Sequence, residues 1–223
     1  MKKGNTPYHH GDLPRTLITT TLQIIAEQGL AGVTMREVSR RIGVSRTAAY
    51  RHYQNKQELL CAVAEQGFRD LAVKFQGIVR QGGESALETL VGIGLGYLEF
   101  ALTNPALYRL MFGSILTQTE RPPSLRDAAE QAFGQFQTMV GFGQAQGIFR
   151  AGDTLAFASI LWSLMHGLAR LLMDGQLQTE NQGDGLPILL TDNLGKTQRD
   201  AGNLMAVVVD VLLLGLAPRE GNA

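Results

Sequence analysis

The sequence predicts an all-α protein, and three observations lead to that expectation. Apolar residues recur every three or four positions along most of the chain, which is the period of an amphipathic helix. No run of alternating apolar and polar residues flanked by hairpin turns stands out. Gly, Pro and Asn fall between the segments of helical period, where they end one helix and begin the next.

Four helices are predicted in the N-terminal third of the chain. Each is preceded by a residue type that caps helix N-termini; these residues are Asp12, Thr34, Ser45 and Asn55. The Thr34 cap belongs to a capping box with Glu37, and the third helix is expected to run for about two turns. Glycines end the other three helices, at Gly29, Gly43 and Gly82.

Five further helices are predicted beyond residue 83. Their expected ranges are 84–103, 105–112, 124–146, 153–174 and 197–216. A loop is predicted at 117–123, where two consecutive prolines oppose helix formation. Residues 176–196 are rich in Gly, Asp, Asn and Thr, and this composition predicts a mobile connection.

The charge is unevenly distributed, although the chain as a whole has a formal net charge of zero. Residues 1–60 contain nine Lys or Arg against four acids, whereas residues 61–223 contain eleven against sixteen. Hydrophobic residues make up 44% of the composition, as in a globular protein rather than a disordered one. A basic N-terminal part on an acidic body indicates that the two parts meet different partners.

Cysteine content and hydropathy indicate a cytoplasmic protein without a membrane anchor. Cys61 is the single cysteine, which excludes an internal disulfide or a thiolate metal cluster. Residues 1–10 are polar and lack the apolar core of a secretory signal. The longest apolar run, 204–217, is shorter than the roughly twenty residues that cross a bilayer.

The segment 34–53 has the pattern of a helix-turn-helix motif, with two short helices joined by a turn that contains Gly43. Apolar residues between Val33 and Ala49 are expected to pack the two helices together. The outward side of the second helix then carries hydrogen-bond donors that reach base edges in a major groove. An alternative remains, since a cluster of charged side chains on a helix often faces only solvent.

Residues 12–71 resemble the DNA-binding region of TetR-family transcriptional regulators. The resemblance rests on the strings IIAEQG, TMREVSRRIGVS and YRHYQNKQELL. It implies that Tyr50, His52 and Lys56 contact the DNA backbone and that Arg46 and Thr47 read bases. The residues predicted to contact DNA are Thr34, Arg36, Ser45, Arg46, Thr47, Tyr50, Arg51, His52, Tyr53 and Lys56.

The remainder of the chain resembles a subgroup of the same family. The string YHHGDL at 8–13, the segment NPALYRLMF at 104–112 and the motif WSLMHGL at 162–168 are similar to its characteristic segments. The resemblance implies an N-terminal arm at 1–11, a DNA-binding domain at 12–71, and a helical domain at 72–217 that binds an effector. It also implies a homodimer formed through the helices near 153–174 and 197–216.

Four side chains are candidates to line an apolar effector site: Tyr97, Phe100, Phe136 and His166. For His166 the alternative is a hydrogen-bonded core residue, and for Trp162 a packing role is favoured over ligand stacking. His9 and His10 are expected to belong to the N-terminal arm, because two adjacent histidines without accompanying carboxylates are a poor metal site. The sequence predicts neither a metal site nor a cofactor.

The sequence therefore predicts a ligand-responsive transcriptional regulator, released as a repressor from a palindromic operator by a small apolar effector. A helical enzyme or small-molecule-binding protein is the alternative from another class. We find no nucleophile–base pair, phosphate-binding glycine loop or metal-ligand spacing that supports catalysis.

Overall fold

The computed structural model describes residues 12–82, 85–116 and 122–176, and the described part of the chain is entirely helical, without strands. The helices of the N-terminal part are α1 (Leu13–Gln28), α2 (Met35–Ile42), α3 (Arg46–Tyr50) and α4 (Lys56–Gln81). Those that follow are α5 (Ala86–Thr103), α6 (Pro105–Phe112), α7 (Pro123–Ala145) and α8 (Thr154–Met173). Short 3-10 helices cover Leu30–Gly32 and Ser114–Leu116. The helix predicted at 197–216 and the connection predicted at 176–196 lie outside the described residues, apart from Gln176.

The predicted helix caps are confirmed at each N-terminus. Side-chain oxygens of Asp12, Thr34, Ser45 and Asn55 accept hydrogen bonds from backbone N–H groups three residues further on. The α2 helix ends at Gly43, whose φ of +80° is in the left-handed region that glycine adopts without steric cost. These local interactions explain why the boundaries could be read from single residues.

Contacts divide the chain into two compact units, and α4 and α7 each pass from one to the other. The first unit contains the described residues between 12 and 67 and between 106 and 126. Its fully buried side chains come from α1, from the helix-turn-helix segment 34–53 and its preceding residue, from the start of α4 and from α6. They include Leu17, Ile24, Val33, Val38, Ala49, Leu59, Val63, Tyr108 and Leu110.

The second unit contains the described residues between 68 and 105 and between 127 and 176. Its core is aromatic and aliphatic, and α5 packs directly on α8. The large side chains buried there include Phe75, Ile93, Tyr97, Leu98, Phe136, Phe149, Leu161 and Met165.

By its contacts, almost all of α6 belongs to the first unit. The first unit takes in the described residues from 106 to 126, which follow the first residue of α6. Helices α4 and α6 approach each other closely at Gly67 on α4, where a Cβ atom would lie 2.7 Å from Met111 Sδ and 3.2 Å from Leu107 Cδ1. Because Gly67 has no side chain, α6 packs closely on this part of α4. The functional division at residue 71 stays a prediction.

Helix α3 is shorter than expected. It ends at Tyr50, and residues 51 and 52 form a turn instead of the second helical turn that the sequence predicts. The backbone N–H groups of His52 and Tyr53 both donate to the Ala49 carbonyl, at 3.1 Å each. Sharing one acceptor closes the helix and redirects the chain towards α4.

Two helices, α5 and α8, are long and apolar enough to cross a membrane by length and hydropathy. In α5, 56% of the 18-residue apolar stretch is buried inside the protein, as in a core helix of a globular protein. In α8 the buried share is 28%. Helix α8 therefore carries apolar side chains that the described residues leave exposed.

Candidate nucleic-acid interface

Local hydrogen bonds fix the geometry of the helix-turn-helix segment 34–53. The amides of Gly43 and Val44 both donate to the Ser39 carbonyl, at 3.0 and 3.1 Å, which completes the C-terminus of α2. Ser45, the next residue, accepts at Oγ from the Ala48 amide at 3.1 Å and begins α3. A turn of three residues thus sets the angle between the two helices.

The buried side of this segment is apolar, and its polar groups are satisfied. Val33, Val38 and Ala49 are completely buried, and α1 packs on both α2 and α3. The buried Ser39 donates from Oγ to the Met35 carbonyl at 2.7 Å. Apolar packing on one side and this hydrogen bond position the segment so that its other side chains face outwards.

Nine of the ten residues predicted to contact DNA are exposed. They lie at the start of α2, along α3, in the turn after it and at the first residue of α4, so the fold gathers them in one unit. Arg36, Arg46 and Arg51 make no ion pair or side-chain hydrogen bond with any residue that the structure describes. Their donors are therefore free for a ligand, and a phosphate or a base edge accepts from such groups.

Tyr53 is the exception, because it is half-buried. Burial, together with the carboxylates of Glu65, Glu58 and Asp12, raises the pKa of its hydroxyl. The phenol therefore stays neutral at the pH of DNA binding, and its charged neighbours are acidic rather than basic.

Lys56, the first residue of α4, ties α4 to the segment that follows α1. Its Nζ donates to the Leu30 carbonyl at 3.4 Å. Glu58 supports the same helix start, since Oε2 accepts from the Gln54 amide at 2.6 Å. Lys56 remains exposed and has further donors, so this bond orients the ammonium group without using it up.

An ion-pair network that the sequence did not indicate crosses from α1 to α2. Glu37 binds both Arg40 and Arg41, and Arg41 also binds Glu27 on α1, with Nη1 and Oε2 2.6 Å apart. Hydrogen bonds from the two arginines lower the pKa of Glu37 from 4.5 to about 2. The capping-box pattern predicts that Glu37 turns back to the Thr34 amide, but its carboxylate is engaged by the arginines instead.

In the second unit, three of the four candidate effector residues come together. Tyr97 and Phe136 contact each other edge to face, with ring centroids 6.3 Å apart, and Phe75 contacts both. Tyr97 Oη and His166 Nδ1 form a hydrogen bond of 3.1 Å between α5 and α8. Phe100, the fourth candidate, is buried and lies three residues after Tyr97 on α5. Among the described residues, no ring contact joins it to the other three.

His166 is half-buried and lies against Trp162, with ring centroids 5.4 Å apart. Burial and, to a lesser extent, the charge of Arg170 lower the pKa of its imidazole. Trp162 also packs edge to face on Phe133 at 6.2 Å. Tyr97 and His166 thus form a neutral hydrogen-bonded pair inside an aromatic cluster.

Family models match both parts of the chain. The model described as "Bacterial regulatory proteins, tetR family" matches residues 17–63, and "Tetracyclin repressor-like, C-terminal domain" matches residues 90–194. Together the two matches cover more than half of the sequence. The first includes the helix-turn-helix segment, and the second includes the Tyr97–His166 pair.

Known proteins agree with these matches. HTH-type transcriptional regulator Rv1816 of Mycobacterium tuberculosis is 26% identical over 137 residues, which are 59% of this chain and 57% of that protein. The chain thus matches little more than half the length of this relative. A solved protein of unknown function from Rhodococcus sp. RHA1 is 26% identical, with a TM-score of 0.78 over 96% of this chain and 100% of that one.

A TetR-family transcriptional regulator from Pectobacterium atrosepticum shares the fold, with a TM-score of 0.67 and 20% identity over 93% of this chain and 95% of that one. Members of this family regulate transcription and are not enzymes, as the sequence led us to expect. The capped helix-turn-helix segment, its unpaired arginines and both family matches lead to one conclusion: the chain belongs to the TetR family of DNA-binding transcriptional regulators.

Proposed function

We propose that this regulator is a homodimeric repressor that binds a palindromic operator and leaves it when a small apolar effector binds. The observation that carries the proposal is the exposed, donor-rich surface of α3 and its flanking turns. A five-residue helix contacts few base pairs, so one copy provides little sequence selectivity. Two copies on successive major grooves, roughly 34–36 Å apart, read two half-sites.

The ten predicted DNA contacts divide by chemistry. Arg46 and Thr47 at the start of α3 are assigned to base edges, because Arg binds guanine bidentately and Thr contacts several bases. Tyr50, His52 and Lys56 are assigned to phosphates, which fix register and affinity. The remaining residues, Thr34, Arg36, Ser45, Arg51 and Tyr53, are proposed to support the backbone contacts.

Helix α8 supports the proposed dimer. Leu155, Ile160, Leu164 and Leu171 are between 42% and 54% exposed. The hydroxyls of Ser159 and Ser163 on the same helix donate to carbonyls one turn earlier, at 2.8 and 2.7 Å. Since these polar groups are already satisfied, the face can be covered by a second copy without leaving unpaired donors. The helix predicted at 197–216 is proposed to complete this interface.

The Tyr97–His166 pair supports the choice of effector class. The surrounding rings of Phe75, Phe136 and Trp162 offer apolar contact area, whereas the pair offers one hydroxyl and one imidazole. We therefore expect an effector with an apolar body and a single polar group. An effector that binds the conformation unable to hold the operator more tightly shifts the protein population away from DNA.

Because its proposed partner is operator DNA, we also propose a cytoplasmic location for the protein.

The proposal can be tested before the operator is identified. The purified protein is incubated with a pool of random duplexes, and the retained DNA is sequenced over several rounds. We expect enrichment of an inverted repeat whose half-sites are centred about 10 base pairs apart, or a multiple of one turn. A reporter carrying this repeat is expected to be silenced by the protein. Absence of any enriched sequence would contradict the proposal.

A further inference from the structure

The arginines of the helix-turn-helix segment fall into two groups. Three of them, Arg36, Arg46 and Arg51, have no side-chain partner among the described residues. The other two, Arg40 and Arg41, both bind Glu37. The side chain of Arg40 is nevertheless 67% exposed, so burial does not separate it from the first group.

Glu37 holds Arg40 through two hydrogen bonds. Arg40 Nε donates to Oε2 at 2.8 Å and Nη2 donates to Oε1 at 2.7 Å, which is the bidentate arrangement of an arginine and a carboxylate. Oε1 also accepts from Arg41 Nε at 2.9 Å. The Glu37 side chain is 23% exposed, whereas that of Arg40 faces solvent.

The direction of the Arg40 side chain follows from the same contacts. Arg36 lies one turn before Arg40 on α2, and Glu37 lies one turn before Arg41. Arg41 is bound to Glu27 on α1, so the chain of ion pairs runs from Arg40 through Glu37 and Arg41 towards α1. The guanidinium of Arg40 is thereby held at Glu37, within this chain of ion pairs.

These four charged groups cancel each other. Two carboxylates and two guanidinium groups have no net charge, so the network adds little to the attraction of a polyanion. The network persists at the pH of any DNA-binding experiment, because the pKa of Glu37 lies at about 2. Arg36, Arg46 and Arg51, by contrast, contribute their full charge.

We propose that Glu37 is a positioning residue that withholds Arg40 from the DNA backbone and so limits how many phosphates the protein neutralises. The inference rests on the proposed DNA binding of this segment. Sequence-independent affinity comes almost entirely from phosphate neutralisation, whereas sequence preference comes from base contacts. Withholding one phosphate contact therefore lowers the affinity for all DNA sequences alike and leaves a larger share of the binding free energy to the base contacts.

The test is the salt dependence of binding to a random duplex, for which no operator is required. The proteins compared are the wild type, Glu37→Gln, Arg40→Gln, the double variant, and Glu27→Gln as the matched control. Glu27→Gln removes one negative charge from the same network but leaves the Glu37–Arg40 pair intact. Thermal unfolding of each variant verifies that it is folded.

Glu37→Gln is expected to bind random duplex more tightly, with a slope of log affinity against log salt that is steeper by about 0.9, the value for one additional phosphate. Arg40→Gln alone and Glu27→Gln are expected to keep the wild-type slope. The double variant is expected to return to the wild-type slope, because the released arginine is gone.

An unchanged slope for Glu37→Gln, or a slope of Arg40→Gln shallower by about 0.9, would overturn the inference, since Arg40 would then already contact a phosphate in the wild type. If Glu37→Gln unfolds, Arg40→Gln alone decides between these outcomes. A wild-type protein that binds no duplex at all would overturn the proposed function itself, which is a distinguishable result.

Discussion

Tyr97 and His166 connect α5 to α8 through a hydrogen bond of 3.1 Å between Oη and Nδ1. Tyr97 is 1% exposed and held by rings on α4 and α7, whereas His166 is half-buried. The bond is the polar centre of an otherwise aromatic cluster in the second unit. The protonation state of the His166 imidazole therefore links the stability of this unit to pH.

Acidification is expected to destabilise the protein through His166. Burial, followed by the charge of Arg170, lowers the pKa of His166 below its ordinary value of 6.5, so the folded state binds the proton less tightly than the unfolded state. The stabilisation from the neutral imidazole is complete above pH 6.5 and is lost as pH falls through the folded-state pKa. Thermal unfolding measured in steps from pH 7.5 downwards is expected to show a smaller decrease in Tm for His166→Gln. Equal decreases in both proteins would contradict this assignment.

Two glycines on α7 are expected to respond to alanine in opposite directions. A Cβ at Gly143 would collide with the ring of Phe149, which is 2% exposed, whereas a Cβ at Gly134 meets nothing within 4 Å. Gly143→Ala should lower the free energy of unfolding by about 1–3 kcal/mol through overpacking. Gly134→Ala should raise it by up to about 1 kcal/mol through helix propensity. Urea denaturation measures both, and a stabilised Gly143→Ala would show that the loop holding Phe149 gives way.

The cap at Ser45 is expected to determine the stability of α3. Ser45 Oγ accepts a hydrogen bond from the Ala48 amide. Because α3 has only five residues, this bond is a large part of the interactions that hold the helix. Ser45→Ala should lower the free energy of unfolding by about 1 kcal/mol, whereas Ser45→Gly should cost only a few tenths. Denaturant titrations of the two variants provide the comparison. Equal effects would indicate that the hydroxyl does not contribute through capping.

Lys56 and Arg46 are expected to differ in what they contribute to DNA binding. Lys56→Ala should weaken binding to all sequences and make the salt slope shallower by about 0.9. Arg46→Ala should reduce the preference for one base pair by about 1–3 kcal/mol with less effect on random DNA. Lys74→Ala, a basic residue of the second unit paired with Glu99, is the control and should change neither quantity. Titrations with operator and random duplex distinguish these results, and identical profiles for the first two variants would contradict the assignment.

A charge on the exposed face of α8 is expected to dissociate the proposed dimer. Ile160→Glu places a carboxylate where a side chain 54% exposed in the single chain is proposed to meet the second copy. Val73→Glu on α4 changes a side chain that is 65% exposed and belongs to no proposed interface. Light scattering after size exclusion should give a monomer for the first variant and a dimer for the second. A dimeric Ile160→Glu would move the interface elsewhere.

Helix boundaries could be predicted from the sequence because they depend on neighbours in the chain. Asp12, Thr34, Ser45 and Asn55 each cap an amide three residues away, and that interaction is visible as a spacing of residue types. The end of α3 was predicted wrongly, since no glycine or proline marks it. The helix ends where the amides of His52 and Tyr53 share the Ala49 carbonyl, and this sharing depends on backbone geometry rather than on residue type.

Contacts between distant residues account for what the sequence did not predict. Gly67 leaves room for Met111 where α6 packs on α4, and these residues are 44 positions apart, so no period in the sequence indicates the contact. Glu37 matched a capping box, but arginines three and four positions later offer it stronger charged donors. Tyr97, Phe136 and His166 could be named as candidates, whereas their proximity depends on the packing of α5 on α8.

Sequence-specific DNA binding is the central claim, and it is tested most directly by titrating the purified protein with the DNA upstream of its own gene. The titration is run as a salt series with random duplex as competitor. We predict saturable binding that survives the competitor, with log affinity decreasing linearly with log salt. Absence of binding to either duplex at low salt would contradict the claim and favour a helical ligand-binding protein without a DNA function.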